Sequence, residues 1–331
     1  SQEIKRNKKF KVLPVPIFGY SPETRTYAGA VALFTLRMYN DTNTRTSNAK
    51  IQIYYTVNKQ IIFENEWNYF FNKEKYFTKG NISYSKYPDL YFGIGAKTPD
   101  SNKFSFNSNR FVFEGNFLKN LGNKIFAGTN IRYLDYSNIT SHQSILNPEL
   151  VSNSTAGFGF TIIKDTRNNL LTPTSGVYFN FNSTYNISES NYLKTIIDFR
   201  YYRTWNTIFT LSNRYITIFN SGNVPFYDYA FLGGDQYVRG YYFGRFRDKN
   251  LTALQTEFRF RIIKKFGAAV FGGVANIFSN ENKFDIQNSK HNFGFGIRIL
   301  MDKKENTNLR LDYAMGSNGN TGFYIVFGES F

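Results

Sequence analysis

Apolar and polar residues alternate along much of the chain, most clearly in its C-terminal third. In the stretch 252–263, Phe258 and Phe260 fall on one face, and Glu257 and Arg259 fall on the other. A period of two residues is typical of a β-strand. Because charged side chains suit a water-filled lumen and aromatic side chains suit lipid, the pattern favours a membrane β-barrel over a soluble sandwich.

Sixteen alternating segments can be placed along the chain, and most have about the ten residues that a tilted membrane strand needs. The sequence therefore predicts an all-β fold, a 16-stranded antiparallel transmembrane β-barrel. The predicted strands are 10–20, 27–39, 48–57, 61–71, 76–87, 109–119, 124–137, 154–165, 176–186, 191–203, 208–219, 251–263, 266–278, 291–300, 307–316 and 322–331.

The length of each connector depends on whether the strand before it is odd- or even-numbered. The long connectors 88–108, 138–153, 220–250 and 279–290 all follow odd-numbered strands, whereas those after even-numbered strands are short, except 166–175. Outer-membrane barrels have short periplasmic turns and longer outer loops. The parity therefore predicts that both chain ends are periplasmic and that the long connectors are outer loops.

Composition agrees with this architecture and limits the chemistry. Aromatic residues make up 19% of the 331 residues, and no apolar run is long enough for a membrane helix. The absence of cysteine excludes disulfides, thiol catalysis and cysteine-type zinc sites. With only two histidines in the sequence, we expect no metal site and no cofactor. The first residues hold no apolar signal segment, as expected of a mature exported chain.

The net charge of +16 has two interpretations. Basic residues can bind nucleic acid, but here they are spread over strands and loops, with one notable cluster at 5–9. This distribution favours a polar lumen and contacts with the phosphates of outer-membrane lipid or lipopolysaccharide. We therefore predict no nucleic-acid partner.

The predicted loop 220–250 contains the motif Val238-Arg239-Gly240-Tyr241. It resembles the VRG(F/Y) loop of the BamA/two-partner-secretion superfamily, the bacterial surface antigen barrels. In that family this loop, loop 6, lies between the eleventh and twelfth strands. It folds into the lumen, where its arginine pairs with an acid of the inner wall. The resemblance implies an extracellular loop 6 that plugs the lumen with these four residues.

Four further stretches resemble the same family, in the same order along the chain, and imply a protein of the bacterial outer membrane. They are 18–24, similar to the first hairpin; Asp165, Arg167, Pro173 and Gly176, similar to a periplasmic DTRD–PxxG turn motif in which Asn168 replaces the usual aspartate; 309–314, similar to the strand-15 LRLDYA segment; and 323–331, similar to a terminal β-signal.

The chain departs from the family pattern at the thirteenth strand, where Gly273 replaces a common aspartate. Arg239 then needs another partner, because an unpaired charge away from bulk water is costly. We expect Glu257 as the first choice and Asp312 as the second, since both fall on predicted lumen faces. The alternative is an Arg239 that is solvated in a wide, wet lumen.

A second departure concerns the N-terminal end. Residues 1–9 are predicted to be a short periplasmic tail and residues 10–331 a single barrel domain, which leaves no room for the POTRA domains of classical members. We therefore expect a barrel-only member that works with separate lipoprotein or periplasmic partner proteins.

Pro14 and Pro16 are the only prolines within a predicted strand. Neither can donate to a β-ladder, and at positions i and i+2 they weaken the same side of the first strand. That strand closes the barrel against the last one, which holds Phe327 and Phe331. We hypothesise that this seam opens as a gate. The alternative is an irregular N-terminal entry without a gating role.

The resemblance implies a non-enzymatic barrel that acts in protein insertion or translocation. One alternative is a passive pore, favouring anions through its basic lumen, or a structural scaffold. A weaker alternative is a lipid-modifying enzyme that uses His142. Both His142 and His291 fall in predicted outer loops, and nothing near them reproduces a known catalytic spacing.

Overall fold

The computed structural model describes residues 10–37, 44–141, 150–170, 172–206, 208–263, 265–302 and 307–331. These residues form eighteen β-strands and three short 3-10 turns. The strands are β1 Phe10–Ser21, β2 Arg25–Leu36, β3 Ser47–Thr56, β4 Ile61–Phe71, β5 Tyr76–Tyr91, β6 Phe104–Gly122, β7 Ile125–Ser141, β8 Asn153–Asp165, β9 Gly176–Ile187, β10 Tyr192–Trp205, β11 Phe209–Gly222, β12 Ala230–Leu232, β13 Phe246–Asp248, β14 Asn250–Ile263, β15 Phe266–Phe278, β16 Lys290–Asp302, β17 Thr307–Gly316 and β18 Thr321–Phe327. The 3-10 turns are Asp100–Asn102, Phe226–Asp228 and Ile286–Asn288.

Sixteen of these strands form one closed antiparallel barrel, which confirms the predicted fold. Each barrel strand pairs with its neighbours along the chain, and β11 pairs with β14 because the short β12–β13 hairpin belongs to the loop between them. The barrel closes where β1 meets β18. No helix in the part of the chain that the structure describes has the length and apolarity to cross a membrane.

Side chains on the barrel strands alternate between the outside and the lumen. On β8, Phe158 and Phe160 are exposed on the outer face, whereas Thr161 and Ile163 are buried on the inner face. The outer rows give the barrel an apolar surface that suits lipid, and the inner rows fill the lumen with polar and charged groups.

The two ends of the barrel differ. We call the end with the connectors 72–75 and 123–124 the short-turn rim, and the opposite end the loop rim. Residues 166–170 and 172–175 belong to the short-turn rim, where Arg259 donates to the main-chain oxygen of Pro173 at 3.3 Å.

Some strand limits differ from the prediction. β5 continues to Tyr91 and β6 begins at Phe104, so Pro88 lies within a strand and not in a loop. It pairs with Asn107 of β6, whereas β4 pairs with β5 only as far as Lys86. Beyond that point β5 has a free edge, where the missing N–H of a proline costs no ladder bond. The predicted tail 1–9 and His142 lie outside the described residues.

Candidate functional site

Loop 6, residues 223–249 between β11 and β14, folds back into the lumen. Val238, Arg239, Gly240 and Tyr241 are all buried there. The main-chain N–H of Val238 donates to Gln255 Oε1 at 2.9 Å. The structure thus places the four predicted plug residues inside the barrel, against its wall.

Arg239 lies between the two acids that the sequence suggested. Its Nη2 is 2.5 Å from Glu257 Oε2, and its Nη1 donates to Asp312 Oδ2. Its guanidinium carbon is 3.4 Å from the ring centroid of Phe271. Arg239 is only 2% exposed, so these contacts replace its water shell, which a buried charge requires. The two carboxylates and the ring of Phe271 thus provide the contacts to Arg239 that an aspartate at position 273 cannot provide in this chain, where the residue is Gly273.

Three more arginines extend the ion pairs of Arg239 into a network on the lumen wall. Arg298 is the most connected, at 2.6 Å from Asp312, 3.1 Å from Glu257 and 2.9 Å from Glu329. Arg259 contacts Glu257 at 2.7 Å. Arg310 pairs with Asp235 of loop 6. The strand alternation placed these arginines on the lumen face, but it gave no indication of which acids they meet.

The plug is fixed by its main chain and by Tyr241 as well. The N–H of Gly240 donates to Tyr324 Oη at 2.9 Å, and the Tyr241 hydroxyl donates to the main-chain oxygen of His291 at 2.7 Å. Gly240 has φ of 109°, and a Cβ there would lie 2.9 Å from the nitrogen of Gly316. Both the left-handed conformation and the close approach require glycine.

A second anchor holds loop 6 to the opposite wall. Asp228 lies 2.7 Å from Arg132 of β7 and 2.6 Å from Lys194 of β10. Burial opposes the ionisation of Asp228, but these two cations hold its pKa well below its usual range. Loop 6 therefore spans the lumen between two buried ion-pair clusters. Nothing along the chain indicated this anchor, because Asp228 belongs to no recognised motif.

The end of the chain also turns into the lumen, where the sequence predicted a strand as far as Phe331. β18 ends at Phe327, and Gly328 adopts φ of 91°, which bends the chain away from the ladder. We call 328–331 the C-terminal segment. Its Glu329 meets Arg298, and the main-chain oxygen of Phe331 accepts from Arg259 Nη2 at 3.1 Å.

The seam between β1 and β18 has little ladder pairing. Within the described residues, the two strands pair at one position, Tyr20 with Ile325. Continuing this register places Phe327 opposite Phe18, so the part of β1 that holds Pro14 and Pro16 extends beyond the end of β18. By contrast, β1 pairs with β2 along its whole length.

A side chain partly replaces the missing ladder on the lumen side of the seam. The Tyr27 hydroxyl of β2 donates to the main-chain oxygen of Ile325 at 3.3 Å. It reaches across β1 at Gly19, where a Cβ would lie 2.2 Å from the Tyr27 oxygen. The seam is therefore held by one ladder position and by a contact that depends on the absence of a side chain at Gly19.

The first hairpin contacts loop 6 directly. Glu23, in the turn between β1 and β2, is buried and accepts from the main-chain N–H of Phe243 at 2.6 Å. Burial raises the pKa of Glu23 to about 7. This contact couples the seam strand to the plug through one carboxyl group.

Asp165, Arg167 and Gly176 of the turn motif form a cluster of their own at the short-turn rim, whereas Pro173 contacts Arg259 of the lumen network. Asp165 and Arg167 pair at 2.9 Å, and Arg45, which precedes β3, lies 3.6 Å from Asp165. Gly176 has φ of 107°, and a Cβ there would lie 2.3 Å from the main-chain oxygen of Thr166. The cluster closes the connector between β8 and β9 and does not contact Arg239.

A polar cavity of about 630 Å³ remains in the lumen beside loop 6, on the side of β3 to β10. Three glutamates and six basic residues line it. The basic residues are Lys50, Lys79, Arg132, Arg167, Lys194 and Arg200. The described residues contain no group of three or more His, Cys, Asp or Glu side chains that could hold a metal ion.

Together, a closed 16-stranded barrel and an inward loop 6 define an outer-membrane β-barrel protein of bacteria. The model of the Omp85 superfamily domain matches residues 40–331, and this chain belongs to that superfamily. The structure is similar to BamA from Haemophilus ducreyi lacking POTRA domains 1–3, with 13% identity and a TM-score of 0.63 over 97% of this chain and 70% of that one. It is also similar to CdiB from Acinetobacter baumannii, with 12% identity and a TM-score of 0.58 over 96% of this chain and 59% of that one. A comparison with curated proteins found no match.

Proposed function

We propose that this Omp85 barrel inserts proteins into the outer membrane or translocates them across it. The observation that carries the proposal is the seam, where β1 and β18 pair at a single position in the described part of the chain. Part of β1 is left as a free strand edge, and such an edge is a template for pairing with another chain. The similarity to BamA and CdiB supports the same role.

The anchored plug favours a lateral route. Loop 6 is tied to opposite walls by Arg239 and Asp228, so a client entering the lumen would have to break two buried ion-pair clusters. Separating the seam would break one ladder position, the contact of Tyr27 with Ile325 and the ring contact of Tyr20 with Phe323. In this proposal the role is non-enzymatic, both chain ends face the periplasm, and lipoprotein or periplasmic partners deliver the clients.

A disulfide across the seam tests the proposal. The chain has no cysteine, so Tyr20→Cys with Ile325→Cys introduces one defined pair at facing ladder positions, whose spacing suits a disulfide. The assay is the folding of an unfolded β-barrel client into liposomes that contain the protein. We expect the oxidised variant to lose the acceleration of client folding, and reductant to restore it.

The matched control is Phe199→Cys with Tyr215→Cys, at facing positions of β10 and β11 far from the seam. This crosslink should leave client folding unchanged. Full activity of the oxidised seam variant would exclude a lateral route. Failure of the uncrosslinked protein to accelerate client folding, with or without lipoprotein partners, would count against the insertion role itself.

The second candidate is a passive pore or scaffold barrel, and the cationic cavity beside loop 6 favours it. Rings of basic side chains in a pore favour anions. Planar-bilayer recording separates the two functions. A plugged insertion barrel should give small, irregular currents, whereas an open pore should give steady currents that are larger for anions than for cations.

A further inference from the structure

Three exposed basic side chains lie at matching positions near the short-turn rim. Lys119 is on β6, Lys164 on β8 and Arg203 on β10, each within three residues of the end of its strand. The ladder register offsets them by two and then four residues along alternate strands, so with strands about 4.8 Å apart and about 3.4 Å per residue these charges lie roughly 12 Å and 17 Å apart around the rim. We call these three residues the basic belt.

The basic belt lies in the rows of side chains that face lipid. Lys119 is flanked on the same face by Phe117 and Leu121, which are 58% and 64% exposed. The guanidinium carbon of Arg203 lies 5.1 Å from the ring of Trp205, which is also exposed. Basic and aromatic side chains in this arrangement mark the boundary between the acyl chains and the headgroups, where long side chains direct their charge to the polar layer.

Among the side chains that the structure describes, no exposed acid lies beside the belt on β5 to β11 at this rim. Glu74 and Asp165 are buried there, and Arg45 and Arg167 neutralise them. By contrast, exposed lysines of the loop rim lie among acids such as Asp100 and Glu281. The excess positive charge of the outer surface is therefore concentrated at one end of the barrel.

We propose that the basic belt binds the phosphate groups of anionic phospholipids in the leaflet at the short-turn rim. Each cation projects sideways from a lipid-facing row and not downwards from a turn. A lipid headgroup beside the barrel can therefore reach it, whereas a protein docking from the aqueous side meets the turns. The site is independent of the proposed insertion role, since it lies on β6, β8 and β10 and away from the seam.

Trp205 makes the proposal measurable at the site. The chain has two tryptophans, so Trp67→Phe leaves Trp205 as the only tryptophan, next to Arg203, and its emission is excited selectively over that of the tyrosines. The protein is placed in phosphatidylcholine vesicles that contain brominated phosphatidylglycerol, and in matched vesicles with brominated phosphatidylcholine. Bromine quenches tryptophan on contact, and comparison with unbrominated vesicles removes any change in intrinsic fluorescence. We expect brominated phosphatidylglycerol to quench Trp205 beyond random mixing, and high salt to reduce this preference.

Charge-removing variants assign the effect to the belt. A basic side chain near an anionic surface contributes about fivefold in affinity, so Arg203→Gln should lower the lipid preference about fivefold. Arg203→Lys should retain most of it. Around the triple variant Lys119→Gln, Lys164→Gln, Arg203→Gln, the two lipids should mix randomly. The control removes three exposed lysines of the loop rim, Lys97→Gln, Lys103→Gln and Lys283→Gln, and should keep the full preference.

Four outcomes would overturn the proposal. Random mixing around Trp205 in the unaltered belt would exclude the site, and an equal loss in the loop-rim control would assign the effect to net charge. Displacement of the lipid by inorganic phosphate, but not by chloride at equal ionic strength, would assign the belt to free phosphate. Binding of an acidic polypeptide without any lipid preference would assign it to a protein partner.

Discussion

Tyr20 and Ile325 are the one pair of facing residues at which β1 and β18 share a ladder, as far as the structure describes these strands. The Tyr27 hydroxyl adds a hydrogen bond to the main-chain oxygen of the same Ile325. A closed barrel removes exposed strand edges, but here the closure depends on a very short stretch. The main-chain groups on the seam side of β1 are left without a strand partner beyond the end of β18.

Hydrogen exchange should show this difference along the barrel. We expect the amides of 10–17 to exchange faster than those of β11, which pairs on both sides, because amides held by few hydrogen bonds open at low free-energy cost. Tyr27→Phe should increase exchange in β18 and leave β11 unchanged. Tyr69→Phe is the matched control, since Tyr69 lies on β4, remote from the seam. Equal protection of β1 and β11 would contradict a weak seam.

Loss of Arg239 should destabilise the folded barrel strongly. Arg239→Ala leaves Glu257 and Asp312 with less positive charge in a buried site, and breaking a buried pair costs up to about 3–5 kcal/mol. Arg239→Lys should recover only part of this stability. Its ammonium group restores the charge but cannot reproduce the forked contact with both acids. The measurement is the fraction of barrel that stays folded on unheated gels across a temperature series. Arg25→Ala, at an exposed arginine of the first hairpin, should behave like the unaltered protein. Identical curves for Arg239→Ala and Arg25→Ala would disprove the anchoring role.

The contact of Glu23 with loop 6 should make stability depend on pH. Burial raises the pKa of Glu23 from 4.5 to about 7, and Asp235 adds a like charge nearby. When the pKa of a carboxyl group is higher in the folded state than in the unfolded state, its contribution to the stability of the fold is complete below the unfolded-state pKa. That contribution is lost as the pH rises through the folded-state pKa. The barrel should therefore unfold more readily at pH 8 than at pH 5.

Glu23→Gln keeps the shape and the acceptor oxygen but does not titrate. The folded fraction of this variant on unheated gels should vary less between pH 5 and pH 8 than that of the unaltered protein. The folded fractions of the two proteins should become equal towards pH 5. A mutant that keeps the full pH dependence of the unaltered protein would show that another group is responsible.

The sequence allowed the faces of the strands to be predicted, because alternation is a local property. Arg239 was predicted to meet Glu257 or Asp312, and it contacts both. The partners of Asp228 could not be predicted, since they depend on the path of loop 6 across the lumen and not on the residues next to Asp228 in the sequence. The end of β18 was missed for a similar reason. Apolar residues at 323, 325 and 327 predict a continuing strand, and only the bend at Gly328 reveals where it ends.

Glu329 joins the lumen network from the segment that follows β18, whereas Arg259 and Arg298, which it meets, lie on β14 and β16. A chain is synthesised from its N-terminus, so both arginines exist before this carboxylate does. Charge balance inside the barrel is therefore completed only when β18 has closed the barrel and the C-terminal segment has turned inward. A barrel that lacks residues 328–331 would enclose a surplus of buried positive charge, so we expect the network to disfavour unfinished barrels.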